Sequence, residues 1–144
     1  MKNGWSDEDA SQFIAQHAPR WGEDLAVRTY ASRLLGGERE LVLHGGGNTS
    51  VKGEWVNVLG ERVPAIFVKA SGWNLATIAP EGHSPLALSF LQRLQGLPEL
   101  DDGEMVKLLR ANLLDPGAAT PSIETLLHVF LPQKFIDHTH ADAI

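Results

Sequence analysis

The sequence contains no cysteine, and this absence limits the chemistry available to the protein. Without cysteine there are neither disulfides nor thiolate ligands, so a metal site must be built from histidine, aspartate and glutamate. Such a donor set points to a catalytic rather than a structural zinc, if the metal is zinc. No apolar run approaches the ~20 residues of a membrane helix. The opening segment MKNGWSDEDASQF is acidic and polar, whereas a signal peptide begins with basic residues followed by apolar ones. The segment therefore predicts a cytoplasmic protein.

Basic residues are also few, and they are scattered along the chain. The 12 Lys and Arg residues are outnumbered by 18 Asp and Glu residues, which gives a net charge of −6. This balance predicts no nucleic-acid partner and no attraction to an anionic membrane, so any bound phosphate must be held by local donor groups. With 144 residues, 43% of them hydrophobic, the chain can form one core, and residues 1–144 are predicted to form part of a single domain.

Hydrophobic periodicity predicts helices on both sides of a block of strands. Helical spacing covers residues 6–35, with Pro19 dividing the segment into two pieces. A further helix is predicted to begin at Thr120 as N-cap and Pro121 as first residue. Its apolar stripe, predicted to face a core, consists of Ile123, Leu126, Leu127, Phe130 and Leu131. This order predicts a layered α/β domain around a sheet. The predicted strands are ELVLH, TSVKGEWVNVL, VPAIFVKASGW and KFIDHTH. Two further helices are predicted, LALSFLQRL and GEMVKLLRANLL.

Two histidines in the last predicted strand are candidate metal ligands. His138 and His140 are two residues apart, so on a strand they project from one face with Cα atoms about 6.6 Å apart, and both imidazoles can reach one metal. Asp137 and Thr139 then face the opposite side. The same short pattern also fits two surface or half-buried histidines that bind nothing.

Glu124 is the candidate carboxylate. It lies early in the helix before the HTH strand, and a short loop around Pro132 can fold this helix back so that Glu124 approaches the imidazoles. The simpler alternative is a solvated glutamate that stabilises a helix N-terminus through the dipole. His128 follows one turn later on the same face, which makes it a rival ligand, although it can equally be a packing residue.

Three donor-rich turns are candidate anion sites. The segment HGGGNTS lacks both the Gly-Lys-Ser/Thr ending of a P-loop and the GxGxxG spacing of a Rossmann turn, so it predicts no nucleotide site. Its glycines permit unusual φ values and its Asn48 adds a donor, although a simple turn between strands explains it as well. Ser71 and Gly72 follow a second strand, and Ser122 is predicted at a helix N-terminus, where free N–H groups favour an oxyanion.

Taken together and in this order, GGGNTSVK, VKASGW, TPSIETLLHVFLP and DHTHADAI resemble the signature segments of the class II aldolase/adducin family. They are most similar to the aldolase portion of bifunctional rhamnulose-1-phosphate aldolase/alcohol dehydrogenase proteins. The resemblance implies a three-layer α/β/α sandwich around a mixed, mostly antiparallel sheet. It also implies a zinc ion held by three histidines, and cleavage of a ketose 1-phosphate to dihydroxyacetone phosphate and lactaldehyde.

The resemblance also implies roles for individual residues. Glu124 matches the catalytic carboxylate, which moves the proton while zinc acts as Lewis acid. His138 and His140 match the paired zinc ligands. Family members commonly form homo-oligomers, so a homo-oligomer that binds a small phosphorylated sugar is expected. The family's phosphate-binding turns correspond to Gly47, Asn48, Ser71, Gly72 and Ser122.

The sequence departs from the family pattern at three places. Gly45 stands where many relatives have threonine, and Ile123 replaces a second serine, which predicts a looser or backbone-dominated phosphate site. The third zinc histidine of the family lies downstream of the HTH segment, beyond Ile144. The sequence therefore predicts a C-terminally incomplete domain with impaired activity. A phosphosugar epimerase or dehydratase of the same family, and a non-catalytic adducin-like interaction domain, are the alternatives.

Overall fold

The computed structural model describes residues 3–42 and 46–139, so Gly45 and His140 lie outside the described residues. Two short 3-10 helices, Leu75–Thr77 and Pro80–Gly82, precede the third strand. The other elements are α1 (Asp7–Trp21), α2 (Glu23–Gly36), β1 (Asn48–Val56), β2 (Arg62–Lys69), β3 (His83–Ala87), α3 (Leu88–Gln92), α4 (Asp102–Ala111), α5 (Thr125–Phe130) and β4 (Phe135–His138). Within the described ranges, no helix combines the length and apolar character needed to cross a membrane.

The two N-terminal helices are separated by a glycine rather than by the proline. Helix α1 begins after Ser6, whose hydroxyl accepts the N–H of Asp9 at 3.3 Å. The predicted boundary at Pro19 is wrong, because α1 continues through Pro19 to Trp21. The chain turns at Gly22, whose φ of 87° lies in the left-handed region that favours glycine.

The predicted strand ELVLH is wrong over its described part, residues 40–42. The N–H groups of Leu41 and Val42 both donate to the carbonyl of Glu38 at 3.0 Å, so this segment forms a turn. Val42 is buried against Leu75 and Ile78. Its apolar character therefore reflects packing in a loop and not strand pairing.

The described strands form one antiparallel sheet in the order β3-β2-β1-β4. Three of the predicted strands correspond to β1, β2 and β4. Strand β3 was not predicted, because its Leu86 belongs to the helical pattern LALSFLQRL, of which only Leu88–Gln92 forms helix α3. Pairing with residues 65–69 of β2 stabilises the extended conformation of β3 instead.

Helices cover both faces of the sheet. On one face, Ile66 and Val68 of β2 pack against α3, α4 and α5. On the other face, Ala65 and Phe67 pack against Leu25 of α2. This alternation along β2 produces two hydrophobic layers. The predicted three-layer α/β/α arrangement is confirmed.

Helix α5 is shorter than predicted and rotated about its axis. Thr120 and Pro121 do not begin it: Pro121 forms an isolated bridge with Ala70, and the helix begins at Thr125. The buried side of α5 is partly polar, because its buried residues have hydrogen-bond partners on β1 and in the preceding turn. The predicted core-facing stripe is therefore wrong at its exposed members, Ile123, Leu127 and Leu131, whereas the buried residues are Thr125, His128 and Val129.

Candidate metal centre

The segment from Glu124 to His138 folds back on itself and brings a carboxylate to an imidazole. Glu124 immediately precedes α5, and His138 ends β4. The two side chains meet with His138 Nδ1 2.8 Å from Glu124 Oε2. The predicted approach of Glu124 to His138 is therefore confirmed, although the roles of both residues stay predictions. His140, the second predicted zinc ligand, lies outside the described residues.

A second histidine completes a three-residue cluster. Glu124, His128 and His138 each offer one ligand atom, and these atoms lie within 4.8 Å of one another. His128 is fully buried, whereas Glu124 and His138 are partly exposed. The sequence had indicated His128 only as a rival ligand, through its position one turn after Glu124. In the structure, His128 is one of the three residues that form the cluster.

The environment of His128 suits a metal ligand. Its Nδ1 lies 2.7 Å from Ser50 Oγ, whereas its buried Nε2 has no hydrogen-bond partner among the described residues. Burial, followed by the nearby His138, lowers the pKa of His128 to about 4, so the ring is neutral near pH 7. When Nδ1 carries the proton and donates to Ser50, Nε2 presents a lone pair. Two imidazoles and a carboxylate form a donor set that fits zinc.

The predicted glycine-asparagine turn lies beside the cluster. Gly47 has a φ of 80°, and an added Cβ would lie 3.3 Å from the carbonyl oxygen of His138 and 3.1 Å from Leu75. Only glycine therefore satisfies both the backbone conformation and the close packing. The next residue, Asn48, pairs with His138 in the β1–β4 register and is 2% exposed. The anion-binding roles of Gly47 and Asn48 stay predictions.

The other two predicted phosphate segments lie against each other. The N–H of Ser71 donates to the carbonyl of Thr120 at 2.9 Å, which brings the turn containing Gly72 beside the segment of Ser122. Ser122 is not at a helix N-terminus as predicted, since α5 begins three residues later. Its hydroxyl accepts the N–H of Glu124 at 3.1 Å instead, and so helps to orient the carboxylate residue.

Sequence reasoning missed three polar residues near the cluster. Ser50 and Lys52 share one face of β1 with Asn48, because alternate residues of a strand project on the same side. Lys69, which ends β2, is 7% exposed; burial lowers the pKa of its ammonium, and the negative charge of Glu124 opposes this effect. Strand alternation was the available signal for Ser50 and Lys52, but it could not show which helix would cover them.

A buried arginine holds β4 from the opposite face. Asp137 projects away from His138, as predicted, and its Oδ1 lies 2.5 Å from Nη2 of Arg28. The guanidinium of Arg28 is 2% exposed and also contacts Ser32 Oγ, at 3.2 Å. Burial lowers the pKa of Arg28 and Asp137 opposes this effect, so the guanidinium stays charged. Strand β4 is therefore fixed by α2 on one side and by the α5 segment on the other.

Comparison with protein families identifies the family to which this fold belongs. The family model of the Class II Aldolase and Adducin N-terminal domain matches residues 27–144. This range covers most of the chain and includes every predicted site residue. The chain belongs to the class II aldolase/adducin family.

Two relatives that are longer than this chain share its sequence. It is 40% identical over 144 residues to the uncharacterized oxidoreductase YuxG of Bacillus subtilis (strain 168), and it spans 20% of the length of that protein. It is 36% identical to the N-terminal class II aldolase domain of a conserved protein from Thermoplasma acidophilum, with a TM-score of 0.85. The match covers 99% of this chain and 62% of that structure.

Proposed function

We propose that this chain is the N-terminal part of a zinc-dependent class II aldolase. Its substrate would be a ketose 1-phosphate of the rhamnulose 1-phosphate type, cleaved to dihydroxyacetone phosphate and lactaldehyde. The observation that carries this proposal is the convergence of Glu124, His128 and His138 within 4.8 Å in a chain of this family. A cluster of this kind favours a catalytic domain over a purely structural one.

The residues that would hold zinc are His138, His140 and a third nitrogen ligand. His128 Nε2 can supply that nitrogen in this chain, and a histidine from the remainder of a longer protein can supply it elsewhere. Bound zinc would supply Lewis-acid stabilisation of negative charge on the substrate oxygens. The donor set contains no thiolate, which agrees with a catalytic rather than a structural ion.

Glu124 would carry the proton that the reaction must move. In the cleavage the bond between C3 and C4 breaks, the C4 hydroxyl loses its proton as the aldehyde forms, and C3 gains a proton. The carboxylate of Glu124 is partly exposed, so substrate can reach it. Contacts to the His138 ring and the Ser122 hydroxyl hold this residue in one orientation.

The 1-phosphate would be held by local donors because the chain is acidic overall. The candidates are the predicted turn residues together with the positive charge of Lys69, which lies near Glu124. The turn residues are Gly47, Asn48, Ser71, Gly72 and Ser122. A homo-oligomer is part of the same proposal.

The name of the Bacillus subtilis relative indicates an oxidoreductase. The present chain spans 20% of that relative and contains no GxGxxG turn before a helix. We therefore assign any redox activity to the remainder of such a longer protein.

The test is the activity of the longer protein that contains this segment, assayed with zinc and rhamnulose 1-phosphate. Glu124→Gln and His138→Ala are each expected to lower kcat by about 10²–10⁴-fold, the usual contribution of a positioned acid-base group or of a metal site. Glu104→Gln, which changes an exposed carboxylate on α4, is the matched control and should retain full activity.

Unchanged activity in the Glu124 and His138 variants would favour the adducin-like alternative. Turnover of other phosphosugars, without cleavage of rhamnulose 1-phosphate, would favour the epimerase or dehydratase alternative. The 144-residue chain alone is expected to bind zinc weakly and to turn over poorly. Turnover by this chain at the rate of the longer protein would show that no further histidine is needed.

A further inference from the structure

Strand β4, which carries His138, has little apolar packing to fix its position. It has four residues, lies at an edge of the described sheet and pairs with β1. Ile136 is buried on the α5 side of the strand, whereas Phe135 and Asp137, on the α2 side, are both exposed. The position of β4 along β1 therefore depends on polar contacts.

The guanidinium of Arg28 contacts both strands of this pair. Its Nη2 lies 2.5 Å from Oδ1 of Asp137 on β4, and its Nη1 donates to the carbonyl oxygen of Ser50 on β1 at 3.5 Å. Its central carbon lies 5.9 Å from the centroid of the Phe135 ring, within the range of a cation–π contact. One rigid, planar group thus connects β1 to both residues that β4 presents on this side.

The guanidinium is itself held in place by α2. Arg28 is 2% exposed, and its Nε donates to Ser32 Oγ, one turn later on the helix, at 3.2 Å. Ser32 Oγ lies 2.8 Å from Oγ1 of Thr49 on β1. Thr49 is the residue opposite Asp137 in the β1–β4 register. The group that orients Arg28 and the carboxylate that Arg28 contacts therefore lie at the same level of the sheet.

The register between β1 and β4 determines whether the metal cluster can form. His138 follows Asp137 on the opposite face of β4, and Ser50 on β1 contacts His128 at 2.7 Å. A shift of β4 by one residue would turn His138 to the wrong face. A shift by two residues would keep the face but move His138 by about 6.6 Å. The ligand atoms of the cluster lie within 4.8 Å of one another, so neither shift is compatible with it.

Stability alone does not account for a buried guanidinium at this position. Removing charges from water costs free energy, and uncharged residues of similar size often give equal or greater stability. The side chain of Asp137 is 53% exposed, so water screens the ion pair and reduces its contribution to stability. Buried polar groups are best known for specifying one register among several.

We propose that Arg28 is a positioning residue for the candidate metal centre. Through Asp137 and Ser50 it sets the register of β4 against β1, and this register brings His138 to Glu124 and His128. Arg28 acts from the opposite face of the sheet and is not itself a ligand. The inference rests on the proposed metal centre, because it assigns to Arg28 an effect on the affinity for zinc.

The zinc affinity of the 144-residue chain, measured by competition with a chromophoric chelator, tests this role. Arg28→Met removes the guanidinium and leaves a half-exposed carboxylate that water can hydrate. It should weaken zinc binding about tenfold, as expected for a group that orients a metal ligand. Lys134→Gln is the matched control, because Lys134 also joins the β4 segment to α2, through a half-exposed ion pair with Asp24 at 2.7 Å. The control should bind zinc normally, since exposed ion pairs contribute little.

The double variant Arg28→Met, Asp137→Asn separates positioning from stability. Its urea midpoint should lie close to that of the unsubstituted chain, because both charges of the pair are gone. Its zinc affinity should nevertheless remain about tenfold lower. Recovery of zinc affinity together with stability would show that Arg28 acts through stability alone, and would overturn the positioning role.

The same measurements distinguish this inference from the proposal on which it rests. Normal zinc binding by the unsubstituted chain, together with unchanged affinity in Arg28→Met, would overturn the positioning role and leave the metal centre standing. A complete lack of zinc binding by the unsubstituted chain would overturn the metal centre and, with it, the role of Arg28.

Discussion

Ser50 is a single hydroxyl that controls the orientation of a candidate ligand. It is fully buried, and its Oγ lies 2.7 Å from Nδ1 of His128. This contact fixes the plane of the ring and leaves Nε2 directed away from the strand. Groups that orient a metal-binding histidine typically contribute 10–100-fold in affinity.

We therefore expect Ser50→Ala to weaken zinc binding by about 10–100-fold, measured by competition with a chromophoric chelator. Ser84→Ala is the matched control, because Ser84 is equally buried and donates to the carbonyl of Ala119 at 2.6 Å, away from the cluster. Both variants should lose about 1 kcal/mol of unfolding free energy. Equal zinc affinity in the two variants would rule out the orienting role of Ser50.

At the scale of single residues, the sequence predicted the approach of Glu124 to His138 but not the environment of His128. Glu124 and His138 belong to short patterns with recognisable spacing. Ser50 could not be assigned, because its contact depends on how β1 packs against α5, and strand alternation alone does not identify the element on each face. The buried partners of Arg28 were missed for the same reason.

At the scale of elements, α5 depends on its neighbours for stability. It has only six residues, too few for an isolated helix to persist in water. Lys52 compensates from the adjacent strand: its ammonium contacts the carbonyl oxygens of His128 at 3.0 Å, Leu131 at 2.7 Å and Gln133 at 2.6 Å. A cation at a helix C-terminus also interacts favourably with the helix dipole.

Replacing Lys52 by methionine should lower the free energy of unfolding by about 1–3 kcal/mol, because three carbonyl oxygens lose a charged donor. Urea denaturation followed by circular dichroism measures this loss. Lys107→Met, at an exposed position on α4, should change stability by less than about 0.5 kcal/mol. If both variants unfolded at the same urea concentration as the unsubstituted chain, Lys52 would contribute nothing to α5.

The sequence predicted the existence of most elements better than their ends. Strands β1, β2 and β4 are rich in β-branched and aromatic residues, and their pattern was sufficient. Strand β3 and the beginning of α5 depend on partners distant in sequence, namely β2 for the strand and the Ser71 turn for the segment before the helix. Tertiary contacts of this kind override local periodicity.

For the whole molecule, the buried histidine His83 makes stability depend on pH. Its pKa in the folded chain is about 3, below the ordinary value of 6.5. Between these values the unfolded chain binds a proton that the folded chain does not, so the free energy of unfolding falls as the pH falls. His128, with its pKa lowered to about 4, acts in the same direction.

Substitution of His83 by glutamine should reduce this pH dependence by up to about 1.4 kcal/mol per pH unit between pH 6 and pH 4. The measurement is the urea midpoint and slope at several pH values for both proteins, without added metal. His128 still contributes in the variant, so a smaller pH dependence should remain. An identical pH dependence in the two proteins would show that His83 protonates equally in the folded and unfolded chain.

The fold class followed from a family resemblance together with the alternation of helices and strands, and comparison with the Thermoplasma acidophilum domain confirms it. The sequence did not predict that so many polar side chains would be buried in this small molecule. Arg28, Ser32, Thr49 and His83 form a connected buried network across the α2 face of the sheet. Nothing in their local sequence distinguishes them from surface residues.

Strand β1 carries a different polar system on each of its faces. Ser50 and Lys52 form hydrogen bonds with His128 of α5, whereas Thr49 forms hydrogen bonds within the buried network under α2. Sliding β1 by one position relative to its neighbours would exchange the two faces and leave several buried donors and acceptors without partners at once. Mispaired arrangements of the sheet are therefore separated from the native one by a wide energy gap. The polar interior thus favours accurate folding, beyond any part it plays in binding.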